Sequence, residues 1–277
     1  MAVTVSHHRP PRNRRGGFTL IELLVVVGVV MVLLALLLSA IQGARRKAAT
    51  AVCASHLRQI YQASVLFAQD NEGRLPRPSY TFETLDYPLP NEERRQLCWF
   101  HIENGPGGGV ISFEHGALWR YLGGDVHSRR AVLNCPGDND ERTMRGGARA
   151  DRNFTYAYNA NIRVDDEGDG RRTQVRLAAV LRPGEKIMIY EELGPNDAWC
   201  DLPHAKADDI PASRHGSTSA GNPQRQMDEE KVPKYFNYGL GNHCFFDGHV
   251  EQLTPAWIIK GLGVNAGYRA YGPLTTP

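Results

Sequence analysis

From Phe18 to Ile41 the sequence holds a single charge, Glu22, and its only other non-apolar positions are Thr19, Gly28 and Ser39. As a helix rising ~1.5 Å per residue this run would be roughly 36 Å long, enough to cross a ~30 Å hydrocarbon core with some tilt. A cleaved secretory signal is the competing reading, because Arg9, Arg12, Arg14 and Arg15 precede the run and small residues occur at Ser39, Ala40 and Ala44. Such signals carry apolar cores of only about 7 to 15 residues, so a membrane-spanning helix over 18–41 is expected. The positive-inside rule does not orient it, since Arg45, Arg46 and Lys47 make the far flank basic as well. A carboxylate within such a span is costly unless it snorkels to the headgroups or meets an opposite charge, so Glu22 is a candidate functional residue.

The apolar spacing continues past the span. Ala48, Val52, Cys53, Leu57, Ile60, Ser64 and Phe67 recur at intervals of three and four, while Arg45, Arg46, Lys47, Arg58, Gln62 and Asp70 fill other faces. Gly73 and Pro76 then supply a stop. One spine helix over about 18–71, roughly 80 Å long, is predicted, with two separate helices joined near Gly43 as the alternative. The expected division is a leader over 1–17, a transmembrane helix over 18–41, the extramembrane half of the spine over 42–72 and a globular head over 73–277. The whole chain has 277 residues and a net charge of +2, which gives no reason to expect nucleic acid as a partner.

The segment Gly16-Gly17-Phe18-Thr19-Leu20-Ile21-Glu22-Leu23-Leu24-Val25-Val26 follows a short basic leader. It closely resembles the class III signal of type IV pilins and type II secretion pseudopilins. The resemblance implies cleavage by a prepilin peptidase between Gly17 and Phe18, methylation of the new Phe18 amine, and pairing of Glu22 with the amine of a neighbouring subunit during assembly. It also implies a leader in the cytoplasm and a head facing outward from a bacterial inner membrane. The partners implied are the peptidase, other pilin-like subunits, the inner-membrane assembly machinery and the lipid bilayer.

Beyond Pro76 the sequence is rich in Gly, Pro, Asn and Asp, with short apolar elements between loop-like runs. Lys186 to Tyr190 reads as a strand entered from a Pro183-Gly184 turn. Asn242–Phe246 and His249–Leu253 read as a hairpin closed by Asp247-Gly248, a pair suited to a type I′ turn. The predicted fold class is α+β: the exposed half of the spine helix on a small, mainly antiparallel sheet. Cys53 to Ile60, Gly73 to Pro76, Cys135-Pro136-Gly137-Asp138, Tyr156-Ala157-Tyr158-Asn159, Arg214-His215-Gly216 and Phe246 to Val250 occur in an order that resembles prepilin-type proteins with a C-terminal histidine and Asp-Gly signature. The departure is a much longer interval between His215 and Asp247 than that signature has, for which an insertion around 217–236 would account.

Candidate chemistry in the head is sparse. His204, His215, His243, Asp247 and His249 offer metal or His/Asp possibilities, but their spacing supports neither. Asp165, Asp166, Glu167 and Asp169 loosely resemble a calcium loop that lacks its distal glutamate, so a solvated acidic loop is expected and no cofactor is. Gly107-Gly108-Gly109 has no phosphate-binding residues after it. The five cysteines, Cys53, Cys98, Cys135, Cys200 and Cys244, form no Cys-x-x-Cys pair. Cys53 lies on the apolar stripe and Cys135 at an element edge before a proline, so a Cys53–Cys135 disulfide between spine and head is expected, with two buried thiols as the alternative.

A structural, filament-forming subunit rather than an enzyme is therefore the leading expectation. The alternative is a prepilin-processed surface protein whose head binds an extracellular ligand such as polysaccharide, which an exposed platform of Trp99, Trp119, Trp199 or Tyr residues would favour.

Overall fold

The helical periodicity of the N-terminal quarter forms α1 (Leu20–Asp70), a single helix of 51 residues. The computed structural model describes residues 19–77, 98–99, 101–103, 110–112, 114–138, 154–159, 162–165, 172–191, 199–200, 215 and 239–254. The chain divides into two compact units, Met1–Arg45 and Arg46–Pro277.

Within the first unit α1 exposes its large apolar side chains, with Leu20 80%, Ile21 76% and Leu36 64% accessible. This helix is long and apolar enough to cross a membrane.

Within the second unit the same helix buries Cys53, Leu57, Ile60, Ala63, Ser64, Phe67 and Ala68. The stripe is narrower than the sequence suggests: Ala48 and Val52 are exposed. At about 100° per residue Val52 is turned away from the face that Cys53 and Leu57 share. Burial of Leu57, Ile60 and Phe67 stabilises by roughly 1.5 to 3 kcal/mol each. The helix stops where Glu72 and Gly73 enter the left-handed region, at φ 55° and 79°. The Gly73 N–H returns to the Ala68 carbonyl at 2.7 Å, a six-to-one closure that satisfies one of the terminal carbonyls.

The main sheet has five strands in the order β7-β3-β6-β8-β9. They are β3 (Tyr156–Asn159), β6 (Ile187–Glu191), β7 (Trp199–Cys200), β8 (Gly241–Phe245) and β9 (Val250–Leu253). The neighbours β3/β6, β6/β8 and β8/β9 run antiparallel, and the two-residue β7 adds in parallel to β3. Two further hairpins, β1 (His101–Glu103) with β2 (Val110–Ser112) and β4 (Arg163–Asp165) with β5 (Arg172–Gln174), stand apart from it. A short helix, α2 (Val126–Val132), starts at Asp125, whose carboxylate accepts from the Ser128 N–H at 2.8 Å. The architecture is α+β, a long N-terminal apolar helix followed by a small, mainly antiparallel sheet.

Alternation along the strands decides what meets α1. The Tyr158 hydroxyl bonds the buried Ser64 Oγ, which itself donates to the Ile60 carbonyl at 2.7 Å. Trp99 leans on Tyr158 with ring centroids 4.7 Å apart. Ala157, Tyr190 and His243 form a cross-strand row on the opposite face. There His243 is fully buried, and neither ring nitrogen has a hydrogen-bond partner among the described residues.

The β8–β9 hairpin differs from its expected turn. Gly248 has φ 88° while Asp247 does not enter the positive-φ region that a type I′ turn requires of both residues. The Phe245 N–H instead bonds the His249 carbonyl at 3.0 Å and the Gly248 N–H bonds Phe245 at 2.9 Å, giving a three-residue loop with glycine at its left-handed position. Asp247 holds the loop by accepting from the His249 N–H at 3.1 Å. A Cβ on Gly248 would lie 2.5 Å from the Tyr61 ring, so the turn sits directly against α1.

Candidate functional site

Two places among the described residues are candidates for function. The first is the start of α1. Thr19 is its N-cap: the Thr19 N–H and hydroxyl donate to Glu22 Oε2 at 2.8 and 2.9 Å, and the Glu22 N–H donates back to Thr19 Oγ1 at 3.2 Å. This reciprocal arrangement is a capping box, which satisfies helix-terminal donors and holds the carboxylate locally. Glu22 therefore has a partner within its own chain. Gly17 and Phe18 lie outside the described residues.

The second place is buried between α1 and the sheet of the second unit. Cys53 comes from α1, Cys135 from the Cys135-Pro136-Gly137-Asp138 turn after α2, Glu191 from the end of β6 and His215 from an isolated bridge to Leu240. Each offers one ligand atom, and the four atoms lie within 4.8 Å of one another. Accessibilities are 0% for Cys53 and Glu191 and 3% for Cys135 and His215. His215 Nε2 stands 2.8 Å from Glu191 Oε1 and 3.4 Å from Cys135 Sγ, and the Cys53 thiol is bonded to Glu191 Oε1.

Local structure fixes every one of these groups. The Cys135 N–H donates to Thr155 Oγ1 at 3.0 Å, and the Thr155 hydroxyl donates to Asp138 at 3.0 Å, which locks the turn that presents the thiol. Gly137 packs closely there: a Cβ would lie 3.3 Å from His215 Cε1 and 3.5 Å from Cys135 Sγ. Donors also approach from outside the cluster. The Tyr156 hydroxyl donates to Cys53 Sγ at 3.2 Å, the Gly137 N–H to Cys135 Sγ at 3.3 Å, and the Asn242 N–H to Glu191 Oε2 at 3.4 Å.

Charge and burial oppose each other at this site. Burial, then the neighbouring Cys135 and Glu191, raise the Cys53 thiol well above its usual range. A hydrogen bond from Cys53 lowers Cys135, against burial and with help from His215. Burial alone would depress His215, but Cys135 and Glu191 together raise it. The arrangement is unsuited to a Cys-His-Glu relay, because Cys135 and Glu191 approach the same imidazole nitrogen, whereas a relay uses both.

The residues singled out in the sequence have varied fates. The sulfurs of Cys53 and Cys135 both lie in the cluster, and both residues are free cysteines. His215 and Asp247 do not meet: Asp247 Oδ1 pairs with His249 Nδ1 at 2.6 Å on the exposed turn. His243 lies beside Tyr190 on the far face of the sheet with neither ring nitrogen hydrogen-bonded among the described residues, and His204 lies outside the described residues. Of the acidic run, Asp165 ends β4, and Asp166, Glu167 and Asp169 lie outside the described residues, as does Gly107-Gly108-Gly109. Trp99 is buried at 2%, and Trp119 is partly buried against the core with Arg129 over its ring at 5.4 Å. Neither forms an open platform. The side chain of Trp199 is not among those described. Sequence reasoning missed Glu191 and placed His215 among other histidines; no short-range spacing links either to the cysteines.

No curated protein and no solved structure matches the chain significantly. One family model does, the prokaryotic N-terminal methylation motif, over residues 12–38. That interval contains Gly17, Phe18 and the Thr19–Glu22 cap, and it ends inside the apolar half of α1. The chain thus carries a prokaryotic N-terminal methylation motif leading into a long apolar helix, consistent with a type IV pilin-like or pseudopilin protein of the prepilin type.

Proposed function

We propose that the chain is a structural subunit of a type II secretion pseudopilus or related type IV pilus-like filament, and not an enzyme. The observation that carries this reading is the methylation motif over residues 12–38, running directly into an exposed apolar helix. A prepilin peptidase cuts between Gly17 and Phe18 and methylates the Phe18 amine. The span 18–41 then anchors the chain as a single pass in a bacterial inner membrane, with residues 1–17 cytoplasmic before cleavage and the head in the periplasm or outside the cell. Its partners are the peptidase, other pilin-like subunits and the inner-membrane assembly machinery.

Glu22 has two roles in this account, at successive stages. Before assembly it closes the Thr19 cap. In the filament its charge meets the methylated amine of a neighbour, where a buried pair is tolerated and a stranded charge is not. Glu22→Gln separates the two roles, because glutamine also closes a capping box but carries no charge. The expected result is normal membrane insertion with reduced incorporation into filaments, read by crosslinking of neighbouring subunits. Incorporation equal to that of the parent would show that the charge serves only the cap.

A further inference from the structure

We infer that Cys53, Cys135, Glu191 and His215 form a structural zinc site that ties the spine helix to the sheet. The four ligand atoms come from four separate pieces of chain and converge within 4.8 Å. Tetrahedral ligands at the usual Zn–S, Zn–N and Zn–O lengths lie roughly 3.3 to 3.8 Å from one another. The 3.4 Å contact between Cys135 and His215 already has that spacing; around a central ion the closer contacts of Glu191 with His215 and Cys53 would open, and pairs as wide as 4.8 Å would close. Two thiolates with an imidazole and a carboxylate are a donor set that suits zinc. All four side chains are buried, which leaves no open position for substrate or water and marks the site as structural.

The surrounding hydrogen bonds favour a metal over the other uses of the same residues. The Thr50 hydroxyl donates to the Arg46 carbonyl at 3.0 Å, so toward His215 Nδ1, 3.1 Å away, it acts as acceptor. Nδ1 then donates to Thr50, and Nε2, which faces Glu191 and Cys135, is the nitrogen that gives up its proton to ligate a metal. A metal-binding histidine is held in this way, with the second nitrogen fixing the tautomer. The outer donors on both sulfurs and on Glu191 complete a supporting shell that stabilises thiolates and a carboxylate. A disulfide would use only the two sulfurs, whereas a metal draws on all four ligand atoms.

The test uses the full chain in detergent, purified under reducing conditions and stripped with a chelator. Titration with Zn²⁺ should reach about one ion per chain, and Co²⁺ in its place should give the intense visible bands of a tetrahedral ion together with sulfur-to-cobalt charge transfer. Cys135→Ser and His215→Gln should abolish stoichiometric binding, Cys244→Ser should leave it intact, and Thr50→Val should weaken it by about 10- to 100-fold. Where a ligand variant fails to fold, the cobalt spectrum of the parent decides alone. A weak octahedral spectrum, no retained metal, binding unchanged in Cys135→Ser, or a Cys53–Cys135 disulfide in protein isolated without reductant would each overturn the assignment.

Discussion

His243 should make the head acid-labile, and replacing it should remove that lability. Its imidazole is fully buried on β8, with the Tyr190 ring 6.4 Å away and both nitrogens unpartnered among the described residues. Burial disfavours the charged form first, and Glu191 and His215 act on it in opposite senses; the outcome is a pKa lowered from 6.5 to about 4. Because the folded pKa lies below the unfolded one, the unfolded chain binds the proton more readily. Stability is full above pH 6.5 and falls as pH drops toward 4, by roughly 2 kcal/mol at pH 5 and on the order of 3 kcal/mol in all. The assay is urea unfolding of the full chain in detergent at pH 7 and pH 5, followed by near-ultraviolet circular dichroism, which senses the buried Trp99. The quantity compared is the loss between the two pH values, parent against His243→Leu, so that other titrating groups cancel. The variant should lose roughly 2 kcal/mol less than the parent. At pH 7 it should be at least as stable within about 1 kcal/mol, since it removes two unsatisfied buried polar atoms. An equal pH dependence in the two proteins would refute the argument.

Two further substitutions probe how the head closes on α1. Gly248→Ala forces an L residue into φ 88° and sets a Cβ 2.5 Å from the Tyr61 ring, so it should destabilise by about 2 to 4 kcal/mol in the same unfolding assay. A loss below about 0.5 kcal/mol would mean that the turn is free to move off the helix. Leu57→Ala removes a fully buried side chain from the centre of the stripe, and a loss of about 2 to 5 kcal/mol is expected. A near-neutral result would place Leu57 outside the core.

Local pattern made α1, β6 and the β8–β9 hairpin legible in the sequence, because helix periodicity, a short apolar run and an Asp-Gly pair are all set by neighbours in the chain. The turn type was less legible: Asp-Gly is compatible with several loops, and the docking of Gly248 on Tyr61 belongs to packing rather than to sequence. Cys53 was readable as a head-facing residue from its place among Leu57 and Ile60, and Cys135 as buried from the proline after it. Their companions were not. Glu191 is 138 residues from Cys53, and His215 is 80 from Cys135 and 24 from Glu191. No spacing motif spans such intervals; only the register of β6 and the bridge at Leu240 bring those groups under α1. Several segments that resemble the prepilin-type proteins, Cys53 to Ile60, Cys135 to Asp138, Tyr156 to Asn159 and His215, prove to be the ones that join helix to sheet. The capping role of Glu22 is legible in Thr19-Leu20-Ile21-Glu22, a Thr followed three residues later by Glu, whereas pairing with a neighbouring chain is what the resemblance implies.

Mass spectrometry of the N-terminal peptide from the membrane-extracted chain reads processing at the N-terminus directly. The sample should come from cells that contain a prepilin peptidase, with a peptidase-deficient strain in parallel. The mature chain should begin at Phe18 with a methylated amine, and the leader should remain uncut when the peptidase is absent. A mature start near Ile41 or Arg45, or an intact leader in both strains, would contradict this processing.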